Sequence, residues 1–174
     1  MKVLYKTLGV FIVLFMYSFF AQGQQADTAK INLVKAQYTK INNNLKSYKK
    51  IIKTDTAETT EGNEVAEFSR GKEIKKLQVI YYGETGKALC EFYFYDKKLI
   101  FYYNAEYRYN VSIYVDKGSV KVASIKEKRY YFNDGRIFMV KTNPKETISS
   151  SEFAQLSIST QKEASRLLNL KTND

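Results

Sequence analysis

The sequence predicts an α+β fold: a single antiparallel sheet, a meander of about six or seven strands, packed against an N-terminal amphipathic helix and followed by a C-terminal helix. Three observations predict it. Short alternating segments recur between about residues 64 and 142 with turn residues between them. Apolar residues recur at steps of three and four on both sides of that region. Helical and strand patterns do not alternate, which argues against a parallel sheet of βαβ units.

The centre of the strand region is Glu73 to Asn104, which reads as three strands and two tight turns. Between Gly83 and Gly86, either Glu84-Thr85 or Thr85-Gly86 serves as a two-residue hairpin loop. In both registers one face collects Leu77, Val79, Tyr81, Cys90, Phe92 and Phe94, because side chains alternate along a strand. A second loop at Lys97-Lys98 sets Phe94 opposite Phe101 and Phe92 opposite Tyr103, extending the apolar face. The other face then carries Lys76, Gln78, Ile80, Tyr82, Glu91, Tyr93, Tyr95, Ile100, Tyr102 and Asn104. Phenylalanine is thus expected inside and tyrosine outside.

Upstream, Ile31, Val34, Tyr38, Ile41, Leu45, Tyr48 and Ile52 form one stripe of a helix over about 28–53, expected to cover the phenylalanine face. The stripe also suits a helix-mediated homodimer. Val65 to Arg70 reads as a short strand. Val111 to Val115 and Val120 to Ile125 read as a further hairpin around Asp116 to Ser119. Asp134-Gly135 suits a type I′ turn that pairs Phe132 with Ile137 and Tyr130 with Met139. Ser149 and Glu152 have capping-box spacing and open a closing helix over about 150–169, with Ser157 to Thr160 weakening its middle.

Residues 1–23 have the pattern of a secretory signal peptide: Lys2 and Lys6, an apolar run from Leu8 to Phe20, then Ala21 and Gly23 as the small residues before cleavage. The run is too short to span a bilayer, so the mature chain from Gln24, one α+β domain over 24–174, is expected in the periplasm or outside the cell with no integral membrane span. Cys90 is the sole cysteine of the 174 residues, and no cysteine follows the apolar run to take a lipid. A disulfide-free exported domain fits a bacterial envelope.

Composition excludes much chemistry. With no histidine there is no Ser-His-Asp or Cys-His catalysis and no imidazole-ligated zinc. Neither a cofactor nor a metal is expected. The 28 basic residues against 18 acidic ones favour anionic partners, although the export signal speaks against nucleic acid. Gly83-Glu84-Thr85-Gly86-Lys87 is not a phosphate-binding loop, because its glycines are too close and Ala88 stands where Ser or Thr is needed. Eleven of the 15 tyrosines fall between Tyr81 and Tyr131, so the enrichment belongs to the sheet. Tyrosine there either fills half-buried strand positions or forms a recognition surface for a peptide, glycan or protein. The candidate binding residues are Tyr82, Tyr93, Tyr95, Tyr102, Glu91 and Lys76. Glu91 and Glu106 are the acids that a carboxylate-dependent hydrolase of envelope polymers would use.

The run EGNEVAEFSRGKEIKKLQVIYYGETGKALCEFYFYDKKLIFYYNAEYRYN, Glu61 to Asn110, followed by KRYYFNDGRI from Lys128, resembles a group of uncharacterised small secreted proteins of Bacteroidota. The likeness lies in the ordered pieces EG, YYGETGKA, EFYF and YYFNDG. It implies an exported, β-rich chain and carries no functional residue across.

Overall fold

The computed structural model describes residues 27–55, 61–115 and 117–171. The leader and its cleavage site lie outside them. The chain divides into two compact units, Met1–Ala36 and Gln37–Asp174. Within the first, residues 27–36 are helical. Helix α1 covers 27–43 as a whole, and the remaining architecture belongs to the second unit.

That unit is a seven-stranded antiparallel meander in strict chain order: β1 (Lys49–Lys53), β2 (Asn63–Arg70), β3 (Glu73–Gly83), β4 (Gly86–Tyr95), β5 (Lys98–Tyr109), β6 (Val122–Asn133) and β7 (Arg136–Asn143). Helix α2 (Ser150–Leu168) closes it. Among the described residues no helix is long and apolar enough to cross a membrane.

The amino-terminal helix ends earlier than its apolar stripe suggests. Asn42, Asn43 and Asn44 stop it at residue 43, because asparagine bonds readily to nearby backbone. The Asn44 amide donates to the Lys40 carbonyl at 2.7 Å, closing the last turn. Lys49 to Lys53 then forms edge strand β1. Among the described residues the expected strand over 111–115 is absent as well. β6 runs unbroken from Val122, and residues 110–115 fold back over the β3–β4 turn, where Tyr109 and Ile113 donate backbone N–H groups to the Thr85 and Glu84 carbonyls.

The β3–β4 hairpin turns at Glu84-Thr85, with Gly83 opposite Gly86. Gly86 tolerates no side chain, since a Cβ there would lie 2.2 Å from the Tyr107 carbonyl oxygen. The β4–β5 turn differs from expectation. It is Asp96-Lys97, both with positive φ (48° and 61°), so Tyr95 faces Lys98. Moving the loop by one residue would preserve the faces. A bulge at Ile100 does not, and Tyr93 therefore lies opposite Phe101 and Phe92 opposite Tyr102. A second bulge, at Phe138, keeps Phe132 opposite Ile137 but sets Tyr130 against Val140 in place of Met139.

One face forms the main core: Val65, Leu77, Val79, Cys90, Phe92, Phe94, Leu99, Tyr130, Phe132 and Ile137 pack with Ala164 and Leu167 of α2. Full burial of one such aliphatic or aromatic side chain contributes about 1.5–3 kcal/mol. The phenylalanine face is therefore covered by α2, not by α1. The capping box is present, with Ser149 N–H donating to Glu152 Oε2 at 2.7 Å. Ser157, which weakens helix propensity, is buried and accepts a hydrogen bond from the Ile137 backbone N–H at 2.9 Å beside the Phe138 bulge.

At its other end α2 is tied to the first strands. Lys53 Nζ donates to the Leu167 and Leu168 carbonyls at 3.3 and 2.7 Å, capping the helix, and pairs with Glu67 at 2.8 Å. Arg166 forks onto Asp55 at 2.7 and 2.9 Å, and Tyr81 donates to Glu163 at 2.6 Å.

Two outcomes test this arrangement. Lys53→Ala leaves the Glu67 carboxylate buried without its cation, so chemical denaturation should show a loss of about 3–5 kcal/mol; a Lys53→Met, Glu67→Gln pair should recover part of it. Deleting Ile100 removes the bulge and turns Phe101 to Tyr109 onto the opposite face. That variant should lose its cooperative thermal transition.

Candidate functional site

The site residues expected from the sequence lie on two faces. Tyr82, Tyr93, Tyr95, Glu91 and Lys76 share one face, the face away from α2. Tyr102 does not. The Ile100 bulge places it on the core face, where its ring meets Phe92 at 4.6 Å and stacks on Tyr130 at 5.3 Å, and its hydroxyl reaches Cys90 Sγ at 3.3 Å. Phe101, expected inside, takes the tyrosine face beside Tyr93. The division of phenylalanine inside from tyrosine outside therefore fails at β5.

The tyrosine face has a sealed half and an open half. The sealed half lies near the Asp96-Lys97 turn, where Phe101, Tyr93 and Tyr131 form an aromatic cluster with ring centroids 5.0–5.7 Å apart. Tyr38, from the part of α1 in the second unit, lies 5.0 Å from Tyr93 and 5.5 Å from Phe101. Tyr93 is fully buried.

Beneath this cover sits a polar network. Lys76 Nζ pairs with Glu91 Oε1 at 2.7 Å and reaches Asn42 Oδ1 at 3.3 Å; Tyr93 Oη donates to Glu91 Oε2 at 2.6 Å, with the Asn42 amide 3.2 Å from the same hydroxyl. Lys76 also stands 5.0 Å from the Tyr93 ring centre. Burial first, then the Glu91 charge, pushes the Tyr93 phenol far above its ordinary range. The predicted trio Lys76, Glu91 and Tyr93 is thus brought together, but as an internal tie that holds the end of α1. Asn42, the residue completing it, carried no spacing signal in the sequence.

The open half carries two cross-strand rows. One runs Tyr82, Lys87, Tyr107 and Ile125; the other runs Tyr103, Arg129 and Lys141. Tyr82 and Ile125 are 39% and 45% exposed, while Tyr103 and Tyr107 are half-buried. Each of the latter rings has a cation beside it, Lys87 at 5.3 Å from Tyr107 and Arg129 at 5.5 Å from Tyr103. Tyr103 is also held by its hydroxyl, which donates to Glu127 at 2.5 Å, while Arg129 donates to the other Glu127 oxygen at 3.0 Å. That bond from Tyr103 keeps the Glu127 carboxyl below its usual range. Tyr95 lies at the opposite end of the same face, half-buried beside the Asp96-Lys97 turn.

The proposed carboxylate pair does not assemble. Glu91 lies on the tyrosine face and Glu106, opposite Ala88, on the other, so the sheet itself separates them. Among the described residues no group of histidine, cysteine or carboxylate side chains could hold a metal ion. Ile41, central to the dimerising stripe, is buried within the chain. Cys90 is buried as well, and burial raises its thiol above the usual range.

No protein-family profile, curated protein or solved structure matches the chain.

The protonated state of Tyr93 gives a pH prediction. Its folded pKa exceeds the unfolded value near 10, so the stability it contributes is complete below about pH 10 and is lost as pH rises beyond it. Denaturation midpoints should fall above about pH 10, and tyrosinate titration should show Tyr93 among the rings that ionise only on unfolding. Tyr93→Phe should lessen that fall and cost about 1–3 kcal/mol at neutral pH, by stranding part of the Lys76–Glu91–Asn42 network.

Proposed function

We propose that this chain is a non-enzymatic exported binding domain that takes a peptide, glycan or protein partner on the open half of its tyrosine face. The observation that carries this reading is the pair of cross-strand rows: partly exposed rings at Tyr82, Tyr103 and Tyr107 with Lys87 and Arg129 beside them. Tyrosine supplies flat apolar area and a hydroxyl at low ordering cost, and rings already held by neighbours lose less freedom on binding. The site is a floor for contact and not a reaction centre, since its acid Glu127 is occupied by Tyr103 and Arg129.

Export is supported by the leader's charge and apolar pattern and by the resemblance to small secreted proteins of Bacteroidota. A mature amino terminus at Gln24 in protein recovered from the periplasm or medium would establish it.

The binding reading is tested by screening the mature chain against envelope glycans and peptides, comparing it with a Tyr82→Ala, Tyr107→Ala double variant. A loss of about tenfold or more in affinity, about 1.4 kcal/mol, is expected. Equal binding by both proteins would remove this face from consideration. Tyr93→Ala, which lies in the sealed half, should change stability more than affinity.

A further inference from the structure

The face beneath α2 is not covered along its whole length. α2 lies toward the Asp96-Lys97 and Asp134-Gly135 turns, where Gln161 donates to the Gly135 carbonyl at 2.6 Å. Toward the opposite, Glu84-Thr85 end, β3 to β6 run on beyond it and form a shallow groove of about 340 Å³. Its side chains come from alternate positions of four strands: Tyr81, Ala88, Glu106, Arg108, Ser124 and Lys126.

Two features shape this groove. Glu106 stands directly opposite Lys126, and Arg108 opposite Ser124, in cross-strand register. Opposite charges so placed usually pair. Here none of the four exposed side chains makes a hydrogen bond or ion pair with another described residue, whereas Lys53, Lys76 and Arg129 elsewhere on the sheet are engaged. The second feature is the floor. Gly86 and Ala88 keep it low, and the Tyr107 carbonyl fills the space where a Cβ at Gly86 would stand. The result is a polar hollow with two cations, one carboxylate within electrostatic reach of Lys128, and a hydroxyl. The Tyr81 ring, anchored through its hydroxyl to Glu163, forms one wall.

We propose that this groove binds a hexuronate, a sugar that carries a carboxylate and several hydroxyls. The volume suits one or two sugar rings, at the lower end of ligand sites. Arg108 and Lys126 take the carboxylate, Arg108 through its planar fork. Glu106 accepts from hydroxyls, Ser124 exchanges a hydrogen bond with them, and Tyr81 offers an apolar ring edge. A neutral sugar would leave both cations without an anion, and a simple carboxylate would leave Glu106 without a donor. Glu106, Arg108, Ser124 and Lys126 alternate away from the tyrosine rows, although Tyr82, Lys87 and Tyr107 of one row also border the groove at its turn end.

Amide chemical shifts of the mature chain, followed during titration with glucuronate, glucose, acetate and a short uronate oligomer, test the proposal. Saturable shifts at Gly86, Ala88 and Ser124 are expected with glucuronate, and weaker or no shifts with glucose and acetate. Tighter binding of the oligomer would assign the site to a uronate residue within a polymer, and equal binding to the free sugar. Arg108→Ala with Lys126→Ala should weaken glucuronate about tenfold or more with an unchanged thermal midpoint, and Glu106→Gln should bring glucuronate and acetate closer together. Tyr103→Ala, on the far face, should leave all of this unaltered. Absence of saturable shifts at these amides, a response to glucose equal to that with glucuronate, or unchanged affinity in the double variant would overturn it.

Discussion

The pleat of β5 depends on one extra residue, Ile100. Side chains of a strand alternate, so inserting a residue on one side of a hairpin reverses every position that follows it until the next irregularity. Upstream of Ile100, Phe94 and Leu99 both point into the core under α2. Downstream, Phe101 points to the other face and Tyr102 points inward. The aromatic content of both faces follows. The core gains a tyrosine pair, Tyr102 on Tyr130, and the tyrosine face gains the phenylalanine around which Tyr38, Tyr93 and Tyr131 gather. The sealed half of the tyrosine face exists because Phe101 is there.

The two helices divide their work by this same arrangement. α2 brings an apolar stripe interrupted by the buried Ser157 and Thr160 and takes the aliphatic and phenylalanine core, and its ends are fixed by polar contacts: the Ser149–Glu152 box at its start and the Lys53 ammonium at its last carbonyls. The end of α1 meets the sheet through Tyr38 and Asn42, a ring and an amide, over a buried ion pair. A buried pair of this kind adds less net stability than apolar packing would, but it specifies one geometry, because any other leaves a charge unmatched.

Much of this was legible in the residues. The glycines of YYGETGK placed the β3–β4 turn, Asn133-Asp134-Gly135 placed the β6–β7 turn, and Ser149 with Glu152 marked where α2 begins. The inward set from Leu77 to Phe94 followed from alternation alone. What stayed hidden depended on tertiary contacts. A bulge at Ile100 or Phe138 leaves no mark in a pattern of period two, since both residues are apolar and suit either register. The type I′ turn at Asp96-Lys97 uses two residues without the usual glycine. The helical stripe continued through Leu45, Tyr48 and Ile52, but three asparagines ended the helix before them, and the KKIIK segment found a strand partner in β2. Of the candidate site, Lys76, Glu91 and Tyr93 lie together in one network, and their burial was not foreseen. Tyr103 was expected on the apolar face opposite Phe92; the Ile100 bulge sets it opposite Glu91 and so on the open half, with Tyr107.

Edge strand β1 carries three lysines in five residues. Lys49 and Lys50 are exposed, and Lys53 points its ammonium inward to α2 and Glu67. A foreign strand seeking to extend the sheet beside Ile51 and Ile52 meets this concentration of positive charge, and a second copy of the same edge would bring as much again. A chain this rich in β-branched and aromatic strands is in that way guarded against fibrillar stacking at high local concentration.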